Sequence, residues 1–445
     1  MSRAPENPAV SGSDSPRCSC GAIHRVPIEA IVIEEGAFDK LGAFVRARRW
    51  SNPLVVMDAN TAEAAGSRVV RELASGGTRA ATLCFPVRHG LLADEASVGR
   101  LDDMLGQTAA DALVAVGSGV ITDITRYVAH RSGREFVSVP TAASMDGYAS
   151  GVAAMEFHGM KATFPAACPV AIFADPETVA AAPPDMTRSG LGDLLGKATA
   201  RVDWLLAHAL YGEGYCPEVE ARVVGAVAET ASRVDEILDR SPQAVPLLLS
   251  GLVESGIAIA MVGSSRPASG CEHHASHFWD LLAAQGHRPH GPHGLQVGYA
   301  TRFAMRLQRF ALGGSVAKLA APRAVPDGAE ADAPGSWFAG HSAEVRAVMD
   351  EKRRFALDHN SAWPRTAARW QAARAQAGAA MDLFGPVTAA LDAARIPAEP
   401  GFLGLDRAML ETTFRVANRI RARYTVLDFL EGQDRLDEAV EAALA

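Results

Sequence analysis

The chain has no surplus of positive charge, no long uninterrupted apolar run and no cysteine framework of the disulfide type. Its formal net charge is −8 over 445 residues. That argues against a nucleic-acid surface, while leaving room for a local basic site that takes an anionic substrate. No apolar run reaches the roughly 18 uninterrupted residues of a membrane span. The six cysteines (Cys18, Cys20, Cys84, Cys168, Cys216, Cys271) are scattered, a pattern of reduced thiols in the cytoplasm. Residues 1–17 are polar and rich in Pro and Ser, so they read as a disordered leader and not as a secretory signal. No solenoid-type repeat is present. What the chain does have is apolar bulk: 48% hydrophobic content at this length supports a large core and two domains.

Between residues 27 and 180, short β-branched or apolar runs alternate with helix-like segments. Residues 53–57, 82–85, 112–116 and 136–139 each read as a buried strand of a parallel sheet, and 170–173 as a further strand. Segments near 61–76, 94–107 and 121–132 have the spacing of crossover helices. After about residue 187 the pattern turns helical: 189–210, 218–239, 245–264, 271–285 and 294–310, then 341–358, 365–378, 386–394 and 406–423. Residues 322–337 read as an exposed loop. The fold class is therefore an α/β N-terminal half followed by an all-α C-terminal half, divided as 1–17 leader, 18–186 and 187–445.

The densest chemistry lies in Ser265–His277 (SRPASGCEHHASH). On a helix over 271–285, His273 and His277 project from one face about one turn apart. His293-Gly294 follows, and Gly192-Asp193-Leu194-Leu195-Gly196-Lys197 upstream offers a carboxylate in an apolar setting. One Asp and two His around a divalent cation leave an open position, which is a catalytic and not a closed structural arrangement. His274 faces away from that stripe and is expected to be peripheral. His290 competes with His293 for the ligand role. Cys18, Cys20 and His24 hint at a second small metal site, but two cysteines and one histidine are too few ligands to close one.

A cofactor loop is also visible. Leu113–Asp123 (LVAVGSGVITD) runs from a strand through Gly117-Ser118-Gly119 into a helix, where backbone N–H groups can approach a pyrophosphate. The third glycine of the regular fingerprint is missing and no strand-end acid follows at the usual distance, so a plain tight turn is an equal alternative. Asp58, at the end of an earlier strand, can accept from an adenosine ribose; alternatively Asn60 or Thr61 caps the next helix. Pro140–Ser150 (PTAASMDGYAS) is either a ligand loop at the carboxyl end of the sheet or an ordinary connection.

Taken in order, GSG-x3-D at 117–123, PTAASMDGY at 140–148, GDLLGK at 192–197, SRPASG-x-EHH-x-SH at 265–277 and HG-x2-VG at 293–298 resemble the sn-glycerol-1-phosphate dehydrogenase family. That family is part of the dehydroquinate synthase-like and iron-containing alcohol dehydrogenase superfamily. Cys18–Gly21 and Arg421–Asp428 are similar to terminal segments of bacterial members. The resemblance implies an NAD(P)-binding α/β domain, a helical metal- and substrate-binding domain, and a homodimer. It also implies reversible reduction of dihydroxyacetone phosphate to sn-glycerol 1-phosphate with NADH or NADPH and one divalent metal, zinc or nickel. By the same resemblance Asp193, His273 and His293 are the metal ligands. Gly117, Ser118, Gly119 and Asp123 line the pyrophosphate and nicotinamide side, Thr141 and Ser144 lie along the cofactor, Asp146 is near the substrate hydroxyls, and Asp58 is at the ribose.

The chain departs from the family pattern at Val120 and Thr122, where Thr and Asn are expected, and at Leu295, where an acid often follows His-Gly. None of these removes a ligand. His277 is a candidate proton relay, or else a buried histidine satisfied by a carbonyl. Lys161, Lys197 and Arg266 are candidates for a substrate phosphate, against a salt-bridge role. Two alternatives stand beside the main expectation. One is a relative acting on another phosphorylated or phosphonylated ketone or alcohol; the other is a dehydroquinate synthase-like lyase using NAD transiently.

Overall fold

A computed structural model describes residues 18–313, 319, 325–360 and 363–445, with the backbone alone for 356–360 and 363–368. The expected leader, residues 1–17, lies outside the described residues. The chain forms two compact units, interleaved in sequence. The first comprises residues up to Leu194, Pro217–Ala226 and Arg233–Ser265; the second comprises Leu195–Cys216, Val227–Ser232 and Arg266–Ala445.

Among the described residues the first unit has eight strands: β1 (Ala30–Ile33), β2 (Leu54–Asp58), β3 (Ala81–Phe85), β4 (Leu113–Gly117), β5 (Phe136–Pro140), β6 (Val152–Phe157), β7 (Met160–Pro165) and β8 (Ala171–Ala174). Six of them form a parallel sheet in the order β1-β8-β5-β4-β2-β3. Alternate residues of β2 and β4 feed opposite faces. Val55, Met57, Val114 and Val116 join Phe38, Leu41 and Val69 on one side. Leu54, Val56, Leu113 and Ala115 join Leu101, Ile124 and Val128 on the other. Both faces are buried, so the strands carry no polar alternation and read as continuous apolar runs.

The strand order reverses between β2 and β4: β2 is followed in sequence by its outer neighbour β3, whereas β4 leads the other way to β5. Crevices that take dinucleotides form at such a switch point, outside the carboxyl ends of the strands. Leu54↔Leu113 and Val56↔Ala115 are in register, so Asp58 and Gly117 end their strands side by side.

β6 and β7 form an antiparallel hairpin that the sequence reading did not anticipate. Its two-residue turn, His158-Gly159, has φ of 53° and 74°, the twist that matches a hairpin. β1 was also missed, being four half-buried residues long. The helix Val245–Val262 is long and apolar enough by length and composition to cross a membrane, with a mean hydropathy of 1.9. It nevertheless carries Glu254 and packs as a core helix, burying Leu248, Leu249, Leu252, Ser255 and Gly256.

In the second unit, the helices Cys271–Ala284 and His293–Leu312 are almost entirely buried. They are joined by Ser342–Asn360, Trp363–Ala379, Phe384–Ala393, Arg407–Val416, Val426–Gly432 and Leu436–Leu444. The expected helix over 406–423 ends at Val416, followed by a 3-10 turn at Ala417–Arg419. Asn418 and Arg419 turn there to bind the Glu431 carboxylate, which draws the chain off the helical path. The expected helix over 218–239 is likewise two, Pro217–Ser232 and Val234–Leu238, broken at Arg233.

Candidate active site

In the first unit, small residues gather at the strand ends. β4 and β5 pair through Gly117↔Pro140, which sets the Gly117-Ser118-Gly119 turn beside the Thr141–Ser144 loop. A Cβ on Gly117 would lie 2.6 Å from that of Ile121, so this position needs glycine for the turn to close onto the helix Gly119–Ser132. Ser118 precedes that helix without capping it through its side chain. Its hydroxyl lies 2.5 Å from the Ser144 hydroxyl instead. Tyr148 donates to the Ala142 carbonyl at 2.6 Å, and Thr141 N–H to the Gly117 carbonyl at 3.3 Å. The helix N-terminus stays available to an anion.

Asp58 caps the next helix itself, with Oδ1 accepting from Thr61 N–H at 2.8 Å and Thr61 answering with its hydroxyl. The cap is therefore Asp58, not Asn60 or Thr61. Asp123, on the helix Gly119–Ser132, lies 3.7 Å from Arg126. Burial pushes its carboxyl up to about 6, against the pull of Arg126 and Lys161. Lys161 stands on β7 opposite Glu156. Asp146 accepts from the Ser255 hydroxyl at 3.0 Å, and its own N–H donates to Asp193 Oδ2 at 3.0 Å. Thr122, where the family pattern has Asn, is buried with its hydroxyl unpartnered.

Asp193 and Lys197 are both fully buried on the helix Pro184–Tyr211. Gly196 lets this helix press on His293–Leu312, since a Cβ there would fall 2.7 Å from Val297. Asp193 belongs to the same unbroken helix, so helical geometry fixes its place beside the turns that follow. Its ligand atoms, those of His273 and those of His293 all lie within 4.8 Å of one another.

The tautomers of the two histidines follow from their partners. His273 Nδ1 faces Glu272 Oε1 at 2.8 Å; a carboxylate only accepts, so Nδ1 carries the proton and Nε2 the lone pair. Glu272 is fully buried and takes further hydrogen bonds from Gly270 N–H (2.6 Å) and the Thr199 hydroxyl (2.8 Å). Burial alone would raise the Glu272 carboxyl, but His273 and these donors outweigh it and hold it low.

His293 Nδ1 lies 3.2 Å from the Ser276 hydroxyl, which donates to Gln296 Oε1 at 3.2 Å. The Gln296 amide is held in turn by Asp280 and the Gly291 carbonyl. Having given its one proton to Gln296, Ser276 accepts from His293 Nδ1–H and leaves Nε2 as the donor atom. Such outer contacts orient metal-binding imidazoles. Two imidazole lone pairs and one carboxylate fit a divalent cation with an open coordination position. His290 is exposed and outside this group.

His277 rings with His293 at 5.8 Å between centroids. Its Nδ1 accepts from Arg421 at 3.5 Å, which leaves the neutral ring's proton on Nε2. His274, on the same helix, is fully buried and lies outside the Asp193, His273 and His293 group. Burial, with Lys352, Arg423, Arg421 and Arg266 around it, keeps it far below the usual histidine range. Arg266 is committed to Glu213 at 2.7 Å and to the Asp203 carbonyl.

The sequence reading missed two cations here. Arg423 donates to the Ser269 carbonyl at 2.8 Å, and burial drives its guanidinium well down, with Arg421 and Arg266 adding repulsion. Burial lowers Arg421 to about 10. An Arg-x-Arg pair ahead of a largely apolar run was the available signal. A further trio, the Asp203 and Glu272 carboxyls with the Cys271 thiol, is a hydrogen-bonded clasp. Asp203, pushed up to about 7 by burial and Glu272, accepts from Cys271 N–H, Val426 N–H and Gln308.

Comparison with known proteins fits this geometry. Residues 32–183 match the family described as iron-containing alcohol dehydrogenase. A glycerol-1-phosphate dehydrogenase [NAD(P)+] of Halalkalibacterium halodurans is 36% identical over 289 residues, 64% of this chain and 72% of the relative. The chain belongs to the glycerol-1-phosphate dehydrogenase family. The same enzyme of Geobacillus stearothermophilus is 35% identical over 294 residues, 64% of this chain and 71% of the relative. Among solved structures, the iron-containing alcohol dehydrogenase of Thermococcus thioreducens superposes with a TM-score of 0.61 at 14% identity, covering 95% of this chain and 99% of its own. That likeness carries the fold. As a member of the family, the chain is an NAD(P)-dependent alcohol dehydrogenase by class.

Proposed function

We propose that the chain catalyses the reversible reduction of dihydroxyacetone phosphate to sn-glycerol 1-phosphate with NAD(P)H. The observation that carries this reading is the convergence of Asp193, His273 and His293 in a chain whose relatives bear that activity in their names. These three side chains would hold one divalent metal, zinc or nickel, supplying a Lewis acid to a ketone oxygen. Gly117, Ser118 and Gly119 would take the pyrophosphate at the helix N-terminus, Asp58 the adenosine ribose, and Thr141, Ser144 and Asp123 the remainder of the cofactor.

Asp146, which accepts from the Ser255 hydroxyl, would meet a substrate hydroxyl. His277, with its proton on Nε2 and Arg421 behind it, would pass that proton to the alkoxide oxygen. Arg421 and Arg423 would meet the phosphate, with Lys161, Lys197 and Arg266 as the other cations of the site. Burial weakens the charged forms of Arg421 and Arg423, and a dianion would restore them. A homodimer in the cytoplasm completes the reading.

The test is product chirality. Incubated with dihydroxyacetone phosphate and NADH, the protein should yield a glycerol phosphate that an enzyme specific for the sn-3 isomer leaves untouched. Turnover confined to another phosphorylated or phosphonylated ketone would move the substrate. NADH binding without net oxidation would favour the lyase reading.

A further inference from the structure

Cys18, Cys20 and His24, too few by themselves to close a metal site, gain a fourth partner in the fold. Their ligand atoms and that of Cys216 all lie within 4.8 Å of one another. Cys216 is buried and immediately precedes Pro217, the first residue of the helix Pro217–Ser232. It is 192 positions from His24 in sequence (216 − 24), and no local spacing rule would have joined the two. We propose that Cys18, Cys20, His24 and Cys216 bind a structural zinc ion, separate from the metal of the active site.

Three observations support the assignment. First, the donor set is three sulfurs and one imidazole, which is a closed tetrahedral zinc complement with no position left for substrate.

Second, the histidine is oriented as a ligand. His24 Nδ1 lies 2.7 Å from the Met261 carbonyl; a carbonyl only accepts, so Nδ1 carries the proton and Nε2 the lone pair. Nε2 faces Cys20 Sγ at 3.3 Å. Two ligands on one tetrahedral zinc, at ordinary Zn–S and Zn–N bond lengths, sit about 3.6 Å apart. A carbonyl behind a ligating imidazole is also the usual outer contact.

Third, the loop is shaped for the purpose. Cys18 N–H donates to the Ala22 carbonyl at 2.9 Å, and Gly21 N–H to the Cys18 carbonyl at 2.8 Å. Gly21 has φ of 85°, a left-handed turn that glycine alone adopts without strain. Ser19 N–H is tied to Glu218 Oε1 at 3.1 Å, which brings the turn onto the start of the helix that follows Cys216. Zinc there would staple residues 18–24 to that helix.

The experiment is metal content of the full chain, purified under reducing conditions without chelator. The Asp193→Ala/His293→Ala variant should retain one zinc per chain, and Cys18→Ser/Cys20→Ser should lose one relative to the wild type. Unchanged zinc in the cysteine variant, or no zinc in the Asp193→Ala/His293→Ala variant, would overturn the proposal. Should the cysteine variant fail to fold, cobalt loaded into the Asp193→Ala/His293→Ala protein decides the matter. The expected spectrum has an intense thiolate-to-cobalt charge-transfer band and tetrahedral d–d bands. Their absence, or an intact mass showing a disulfide among Cys18, Cys20 and Cys216, contradicts the assignment.

Discussion

Two side-chain clusters among the described residues have the donor sets proposed above for metal, and they differ in donor number and donor type. Asp193, His273 and His293 offer oxygen and nitrogen, number three, and come from helices inside the protein. Cys18, Cys20, His24 and Cys216 offer mostly sulfur, number four, and come from a turn and a loop. An open, harder donor set leaves room for a substrate oxygen; a closed, softer one holds chain segments together. Donor count and donor type thus separate chemistry from architecture before any ion is seen.

The largest effect should come from breaking the open set. Asp193→Ala is expected to lower turnover by at least about 1,000-fold, since it removes both a ligand and the charge that balances the cation. Zinc at the cysteine cluster should be unaffected. Next comes the outer contact of His293. Ser276→Ala removes the hydroxyl that fixes the ring's tautomer, and metal affinity at the open set should fall about 10- to 100-fold. Competition with a graded chelator would read it; an unchanged affinity would show that Ser276 does not orient His293.

A third variant tests whether the cations serve the phosphate. Arg421→Ala should raise KM for a phosphorylated ketone about tenfold or more, while leaving KM for an unphosphorylated analogue near the wild-type value. Equal losses on both would assign Arg421 to His277 alone.

The smallest effect concerns a carboxyl that belongs to neither cluster. Asp123 has its folded pKa raised to about 6 by burial, so the folded state holds this proton more tightly than the unfolded one. Its contribution to stability therefore falls as pH rises from about 4 to about 6. Relative to the wild type, Asp123→Asn should gain up to about 2 kcal/mol between pH 4 and pH 7, measured by urea denaturation at each pH. Metal contents should not change. A flat difference would mean that Asp123 titrates normally.

Much of this was legible in the chain and some was not, for physical reasons. The strands at 54–58, 113–117 and 136–140 announce themselves because burial on both faces leaves uninterrupted apolar runs. The ligand trio was carried by family resemblance; helical spacing alone pairs His273 with His277, not with His293. What closes the open set is tertiary: His293 enters by the first residue of the next helix, and its tautomer is set through Ser276, Gln296 and Asp280. The contribution of Cys216 to the second cluster was invisible because nothing near it in sequence marks it as a ligand. Arg421 and Arg423 were hidden for a different cause: the expected helix over 406–423 would have placed them on a helical surface, whereas the helix ends at Val416 and turns them inward.

The most direct measurement is NADH oxidation with dihydroxyacetone phosphate by chelator-stripped protein, before and after zinc or nickel is restored, for the wild type beside Asp193→Ala. The account expects activity to return with metal in the wild type and not in the variant. Undiminished turnover by the stripped wild type, or recovery by Asp193→Ala to the wild-type level, would contradict it.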